Sequence, residues 1–223
     1  MFHALAFFLF LPAIIFAKYD SPRFIALAMN CVIVAMIILE TARYKRMLPG
    51  GRGKHYLRNT LQAELDGFLK SFCGDHEAQV DTLVASHIYL MIGSAYPFLQ
   101  SFMLLDGSIF PANWALWSCT GVVFLGIGDT FAALGGFHFG RTRWRDESSK
   151  TQEGSSYMVI TMTAAYCSLC YFVDERQMYL FIFYLIANIP SALIEGYTLQ
   201  CDNVIGSMAH YALIVFFLTC YDD

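Results

Sequence analysis

Leu125–Ser155 reads LGIGDTFAALGGFHFGRTRWRDESSKTQEGS. An apolar run carries one carboxylate, Asp129, with small residues at every fourth position: Gly128, Ala132, Gly136 and Gly140. A basic loop follows, with Arg141, Arg143, Arg145 and Lys150, and closes on a second carboxylate, Glu153. The apolar part reads as a membrane helix, and a charge at membrane depth is costly enough to mark a functional pathway, with a metal, a cation or water beside it. The cations of the loop suit a polyphosphate, which guanidinium groups grip through paired hydrogen bonds. The small residues alone have a plainer reading, because a small-xxx-small face lets membrane helices approach closely without any ligand. That reading leaves unexplained why the same face carries Asp129 and opens into four basic residues.

The rest of the chain supports a membrane setting. Of 223 residues, 57% are hydrophobic and 14% charged, and the mean hydropathy is +0.50. Long uninterrupted apolar runs at this composition describe a polytopic membrane protein, an all-α helical bundle. The net charge of −4 says little, because what matters is where the basic residues fall. Of the seven cysteines, Cys31, Cys119, Cys167, Cys170 and Cys220 lie in apolar segments, where a thiol acts as a small hydrophobe. The Cys167/Cys170 spacing has no second pair to make a metal site or a disulfide framework.

About seven spans of roughly 20 residues or slightly fewer are expected. They are residues 2–17, 24–39, 82–105, 114–137, 157–173, 179–194 and 204–220. The first lacks the basic start of a signal peptide and reads as a span, with a cleaved signal as the alternative. The second ends in Glu40 and Arg43, an acid and a base on one helix face, which an interfacial salt bridge would explain by itself. Residues 41–82 form a polar segment in which Leu57, Leu61, Leu65, Phe68, Leu69 and Phe72 recur at three and four, as in an amphipathic helix lying on the membrane. Asp75, His76, Glu77 and Asp81 after it read as an acidic solvated turn rather than a metal site. His87 in the third span reads as a packing residue, and Gly93 to Pro97 as an interruption. One domain, residues 1–223, is expected, with N-terminal spans (1–40), the cytosolic amphipathic segment (41–82) and a catalytic core (83–223).

Alternating loops place eleven of the 14 Lys and Arg on one side, in residues 43–81 and 138–154, with Lys18, Arg23 and Arg176 opposite. The positive-inside rule puts the basic loops in the cytosol. The same alternation brings Glu40/Arg43, Asp129–Glu153 and Glu195–Asn203 to one face, as a single site requires.

Phosphoryl transfer needs cations around the moving phosphoryl group, a metal, and a carboxylate that orients or deprotonates the acceptor. Asp129, Glu153, Glu195 and Asp202 are the candidate acids. Glycines let backbone N–H groups approach phosphate, and Ser155 or Ser156 is expected to cap a helix whose positive end faces the loop. Mg²⁺ takes one or two carboxylates together with waters and nucleotide phosphates. Neither GxxxxGK[ST] nor a strand-borne GxGxxG is present, so the soluble phosphate-binding fingerprints do not apply.

The order Asp129-x-x-Ala132-x-x-x-Gly136-x-x-x-Gly140, eight residues, then Ser149-Lys150-Thr151-x-Glu153-Gly154 resembles the CTP-binding motif of the dolichol kinases. Three further elements resemble that family: the His87-Ile88-Tyr89-Leu90 segment running to Pro97, the Glu40/Arg43 helix end, and Glu195-x-Tyr197-Thr198-x-Gln200-x-Asp202-Asn203. The resemblance covers residues 40–223. It departs at Ser149, where the family has a second lysine, and in the acidic segment before His87. Family members are often longer at the N-terminus.

The resemblance implies a CTP-dependent kinase of the endoplasmic reticulum membrane, its nucleotide site facing the cytosol, which phosphorylates dolichol or a related polyprenol for protein glycosylation. It implies catalytic roles for Asp129, Glu153, Glu195 and Asp202. CTP contacts fall to Ala132, Gly136, Gly140, Arg141, Arg143, Lys150, Thr151, Gly154 and Asn203, and Mg²⁺ or another divalent cation to Asp129, Glu153 and Asp202. Membrane lipid is an expected partner, nucleic acid is not, and exposed apolar helices are compatible with a homodimer. Kinases of phytol or diacylglycerol, cytidylyltransferases and a catalytically silent lipid-binding protein are the alternatives.

Overall fold

A computed structural model describes residues 8, 10–15, 22–44, 86–104, 114–146, 148–173, 178–198 and 202–222. Among them every regular element is helical, and the one β-bridge, Arg143 with Thr151, is isolated. The helices are α1 (Pro22–Tyr44), α2 (Ser86–Leu104), α3 (Trp114–Ser118), α4 (Thr120–Phe139), α5 (Gln152–Val173), α6 (Met178–Tyr197) and α7 (Asp202–Asp222). The expected amphipathic helix, the acidic turn at Asp75 to Asp81 and most of the first span lie outside the described residues, as does the Arg43 side chain.

Neighbours in the bundle follow α4, α5, α6, α7, α2, and α4 in turn touches α2 and α7, so these five close on one another while α1 packs on α2. Two helices, Pro22–Thr41 and Thr120–Phe139, are long and apolar enough to cross a membrane, with Phe181–Tyr197 and Asp202–Phe217 as shorter apolar helices. Exposed Phe24, Leu27 and Ile38 on α1 and Phe131, Leu134 and Phe137 on α4 form outward apolar faces of the kind that lipid covers.

Several expected boundaries move. α5 starts at Gln152, five residues before the expected Tyr157, because Thr151 caps it. α2 is not interrupted at Gly93 to Pro97. Pro97 lacks an N–H, which strips the Gly93 carbonyl of its helical donor, and the Ser207 hydroxyl of α7 donates to that oxygen instead. Hydroxyls that re-satisfy freed carbonyls are what make proline tolerable at membrane depth. The lack of a Cβ at Gly93 also lets the Asn203 backbone approach, and a Cβ on Gly121 would strike the Pro97 ring at 2.9 Å. Here α2, α4 and α7 meet backbone to backbone.

α4 carries a π-turn over Val123–Asp129. Such a turn inserts one extra residue and is frequent at functional sites. Phe124 within it lies against Gly206 and the His210 ring, with centroids 5.4 Å apart. Beneath it runs a hydrogen-bonded chain whose direction is determined. The Ser191 hydroxyl donates to the Ala187 carbonyl at 2.8 Å, so its oxygen accepts from His210 Nδ1–H at 2.9 Å. That leaves Nε2 to accept from the Tyr166 hydroxyl at 2.8 Å. Tyr166 stacks on Tyr184 with centroids 4.3 Å apart. α5, α6 and α7 are thereby joined by satisfied polar groups, each bond contributing about 1 kcal/mol.

Candidate active site

Packing of α4 on α5 builds the site. A Cβ on Gly154 would come within 2.6 Å of the Ala132 carbonyl, and one on Gly136 within 2.9 Å of Thr151 Oγ1. The small residues of α4 are therefore used for helix contact, as the plainer reading of the spacing has it. Gly135 receives Tyr157 and Gly128 receives Met158 and Met162 in the same way. Beside this contact lies a cavity of about 360 Å³, lined by Asp129, Ala132, Ala133, Gly136, Phe137, Ser149, Lys150, Thr151, Gly154, Ser155 and Glu195. Seven of the residues expected from sequence thus share one wall.

The first turn of α5 has its donors engaged. Thr151 Oγ1 accepts from the Gly154 N–H at 3.1 Å, making Thr151 the cap, and the Ser155 N–H reaches the Thr151 carbonyl. The Gln152 N–H goes to the Thr142 carbonyl at 2.9 Å. This corrects the expected cap at Ser155 or Ser156: the Ser155 hydroxyl accepts from the Trp144 indole at 2.8 Å, and Ser156 donates to the Gln152 carbonyl.

The basic segment folds back on itself, with the Trp144 N–H on the Lys150 carbonyl and the Ser148 N–H on the Arg145 carbonyl, both at 3.1 Å. Trp144, absent from the sequence expectations, docks this loop: its ring lies on Gly196 and on Tyr197, with centroids 5.0 Å apart. An indole among three arginines was the available signal. Arg141, Arg143 and Arg145 are exposed and do not line the cavity. Gly140 is likewise outside the lining and packs on Thr151.

Glu153 points away from the cavity. Both its carboxylate oxygens accept from the Thr142 N–H at 3.2 Å, and its own amide and those of Arg141 and Thr142 hold its pKa below the usual carboxylate value. Asp202 Oδ1 accepts from the Asn203 N–H, the Asn203 backbone lies against Gly93 of α2, and neither residue lines the cavity. Among the described residues no group of three or more His, Cys, Asp or Glu side chains is set to hold a metal ion. The expected trio of Asp129, Glu153 and Asp202 is thus not assembled, because the loop amides hold Glu153 and Lys150 holds Asp202. Asp129 and Glu195, both on the wall, do offer the one or two carboxylates that Mg²⁺ takes beside phosphate.

Lys150 is the centre of the polar wall. Its ammonium lies 2.8 Å from Glu195 Oε1 and 2.8 Å from Asp202 Oδ2, and it donates to the Glu195 and Thr198 carbonyls at 2.8 and 3.1 Å. A cation on the last carbonyls of α6 also complements the helix dipole. Burial alone would pull its pKa down, but the Glu195 charge and then the Asp202 hydrogen bond outweigh that and raise it. Glu40 is buried at the far end of α1.

The chain aligns with human dolichol kinase at 32% identity over 209 residues, 92% of this chain and 35% of that protein. The chain is related to the dolichol kinases. Dolichol kinase EVAN of Arabidopsis thaliana is 27% identical over 220 residues, 96% of this chain and 34% of that protein. Dolichol kinase sec59 of Schizosaccharomyces pombe is 29% identical over 218 residues, 95% and 38%. The chain therefore spans about a third of the length of the curated dolichol kinases it matches. No family model matches, and no solved structure matches.

Proposed function

We propose that the chain is the catalytic portion of a CTP-dependent dolichol kinase, transferring the γ-phosphate of CTP to the terminal hydroxyl of dolichol or a related polyprenol. The observation that carries this reading is the convergence of Asp129, Lys150, Thr151, Gly154 and Glu195 on one cavity, in a chain whose relatives are named dolichol kinases. Exposed Arg141 and Arg143 on the adjoining loop answer phosphate charge, and the α5 dipole adds to them. Asp129 and Glu195 are the residues that would hold Mg²⁺, which would supply charge neutralisation on the transferring group. Glu195 or Asp129 orients the acceptor hydroxyl. A hydroxyl of pKa on the order of 16 gains little from an ordinary carboxylate base, so positioning and charge carry most of the rate.

The proposed setting is an endoplasmic reticulum membrane, crossed by about seven spans, with the basic loop in the cytosol and the product feeding glycosylation. The test is to incubate the purified chain with γ-labelled CTP, Mg²⁺ and dolichol. Label is expected in the lipid with the wild-type chain and not with Asp129→Asn. No labelled lipid from a folded wild-type chain removes the proposal. Labelled phytol or diacylglycerol in place of dolichol moves it to another lipid alcohol, and CMP on the lipid with free pyrophosphate moves it to a cytidylyltransferase. Replacing CTP with ATP tests the base preference.

A further inference from the structure

The Lys150 ammonium has three protons and four acceptors within 3.1 Å, all from Glu195, Thr198 and Asp202. A lysine free to grip phosphate would face the cavity with unspent protons. Here they are spent on the corner where α6 ends and α7 begins. The corner needs that cation, since Glu195 is buried, and the charges of Asp129 and Asp202 both act on it. With the carboxylates of Glu195 and Asp202 both on its ammonium, Lys150 has little charge left to offer triphosphate oxygens.

We infer that Lys150 is a positioning residue: it ties the carboxylate of Glu195, on the cavity wall, to that of Asp202 outside the lining and acts on the reaction through Glu195, while the exposed arginines of the 141–145 loop receive the nucleotide phosphates. The inference rests on the proposed kinase reading and deepens it. It divides the site into an acid wall, where the acceptor hydroxyl meets the transferring phosphoryl group, and a cationic rim that receives the remaining phosphates of the donor.

Ser149 lines the cavity but is not among the partners of the corner. The pairing gives the 150–202 contact a mechanical meaning. The loop after α4 is held by Lys150 to α6 and α7, and by Trp144 to the same corner.

The test is equilibrium CTP binding and dolichol turnover by the full chain carrying Lys150→Met, Lys150→Arg, Asp202→Asn, and Lys150→Met with Asp202→Asn. Lys150→Met is expected to lower kcat about 100-fold, as a misplaced group does, with CTP affinity within about threefold of wild type. Lys150→Arg, which keeps a cation between two carboxylates, is expected to recover part of kcat. The double variant is expected to be no slower than the worse single one, because both changes break one unit.

A rise of about tenfold or more in the CTP dissociation constant with kcat unchanged makes Lys150 a phosphate ligand and overturns the inference. So do additive losses in the double variant. Should Lys150→Met fail to fold, the arginine variant and the Asp202→Asn comparison decide the same question. A wild-type chain that neither binds CTP nor labels dolichol removes the kinase reading itself, whereas an active wild type with a Lys150 effect on CTP affinity alone removes only this inference.

Discussion

Single residues carry the site, and two have roles that the sequence states only in part. Thr151 stands inside a run of polar residues, and any of the five hydroxyls in Ser148 to Ser156 fits a helix start on spacing alone. Only the fold-back of residues 141–150 selects it, by engaging the Gln152 N–H and leaving Thr151 at the boundary. Thr151→Val removes the cap, and the expected loss is about 1 kcal/mol, read as a lower melting temperature in detergent, with Ser155→Ala as the comparison. Lys150 was legible as one of four cations in a basic loop suited to a polyphosphate. Its partners were not, because they lie 45 to 52 residues away and depend on the geometry of the α6–α7 corner. The pH dependence follows from its environment and that of Glu153. The folded pKa of Lys150 lies above its ordinary 10.5, so its contribution is complete below that pH and is lost as pH rises through the folded value. Glu153 lies below its ordinary 4.5, so its contribution is present above that pH and is lost as pH falls through the folded value. From these two groups the melting temperature is expected to be flat from about pH 6 to pH 9. Lys150→Met should remove the alkaline decline and Glu153→Gln the acid one.

Elements were legible where periodicity and apolar runs are strong, and less so where a single backbone group decides. The apolar run before Asp129 announces a helix, but nothing in VFLGIGD states that it winds with an extra residue. That depends on Phe124 seating on His210 and Gly206 from another helix. Deleting Gly126 would return the segment to ordinary α winding and turn Asp129 off the cavity wall by about 100°. The expected outcome is a folded chain with little CTP turnover, measured beside its helix content. In α2, proline suggested a break, and the structure instead satisfies the freed carbonyl from α7. Ser207→Ala is expected to cost about 1–2 kcal/mol in the wild-type chain and distinctly less in a Pro97→Ala background, where the helix supplies its own donor. A double-mutant cycle on thermal or denaturant unfolding checks it. At the α4–α5 contact, Gly154→Ala places a methyl 2.6 Å from the Ala132 carbonyl. It is expected to destabilise by about 1–3 kcal/mol as the helices part.

For the whole molecule, the convergence of Asp129, Lys150 and Glu195 was readable because alternating spans bring the ends of alternate helices to one level. The convergence of Glu153 and Asn203 on the same cavity was expected for the same reason and is not found, since level alone does not fix the direction of a side chain. The sidedness proposed for the basic loop has its own check. In a cysteine-free chain, Arg145→Cys is expected to react with an impermeant thiol reagent from the cytosolic side and Arg176→Cys from the other. Phe137 adds a property of the assembly. It lines the cavity and yet is 83% exposed on an outward apolar face, so one wall of the cavity is shared with whatever solvates that face. The lipid acceptor of the proposed kinase reaction would not need to be extracted into water to arrive there. Its effective concentration is then a mole fraction within the surrounding amphiphile, and added detergent would act as a diluent at constant molar substrate.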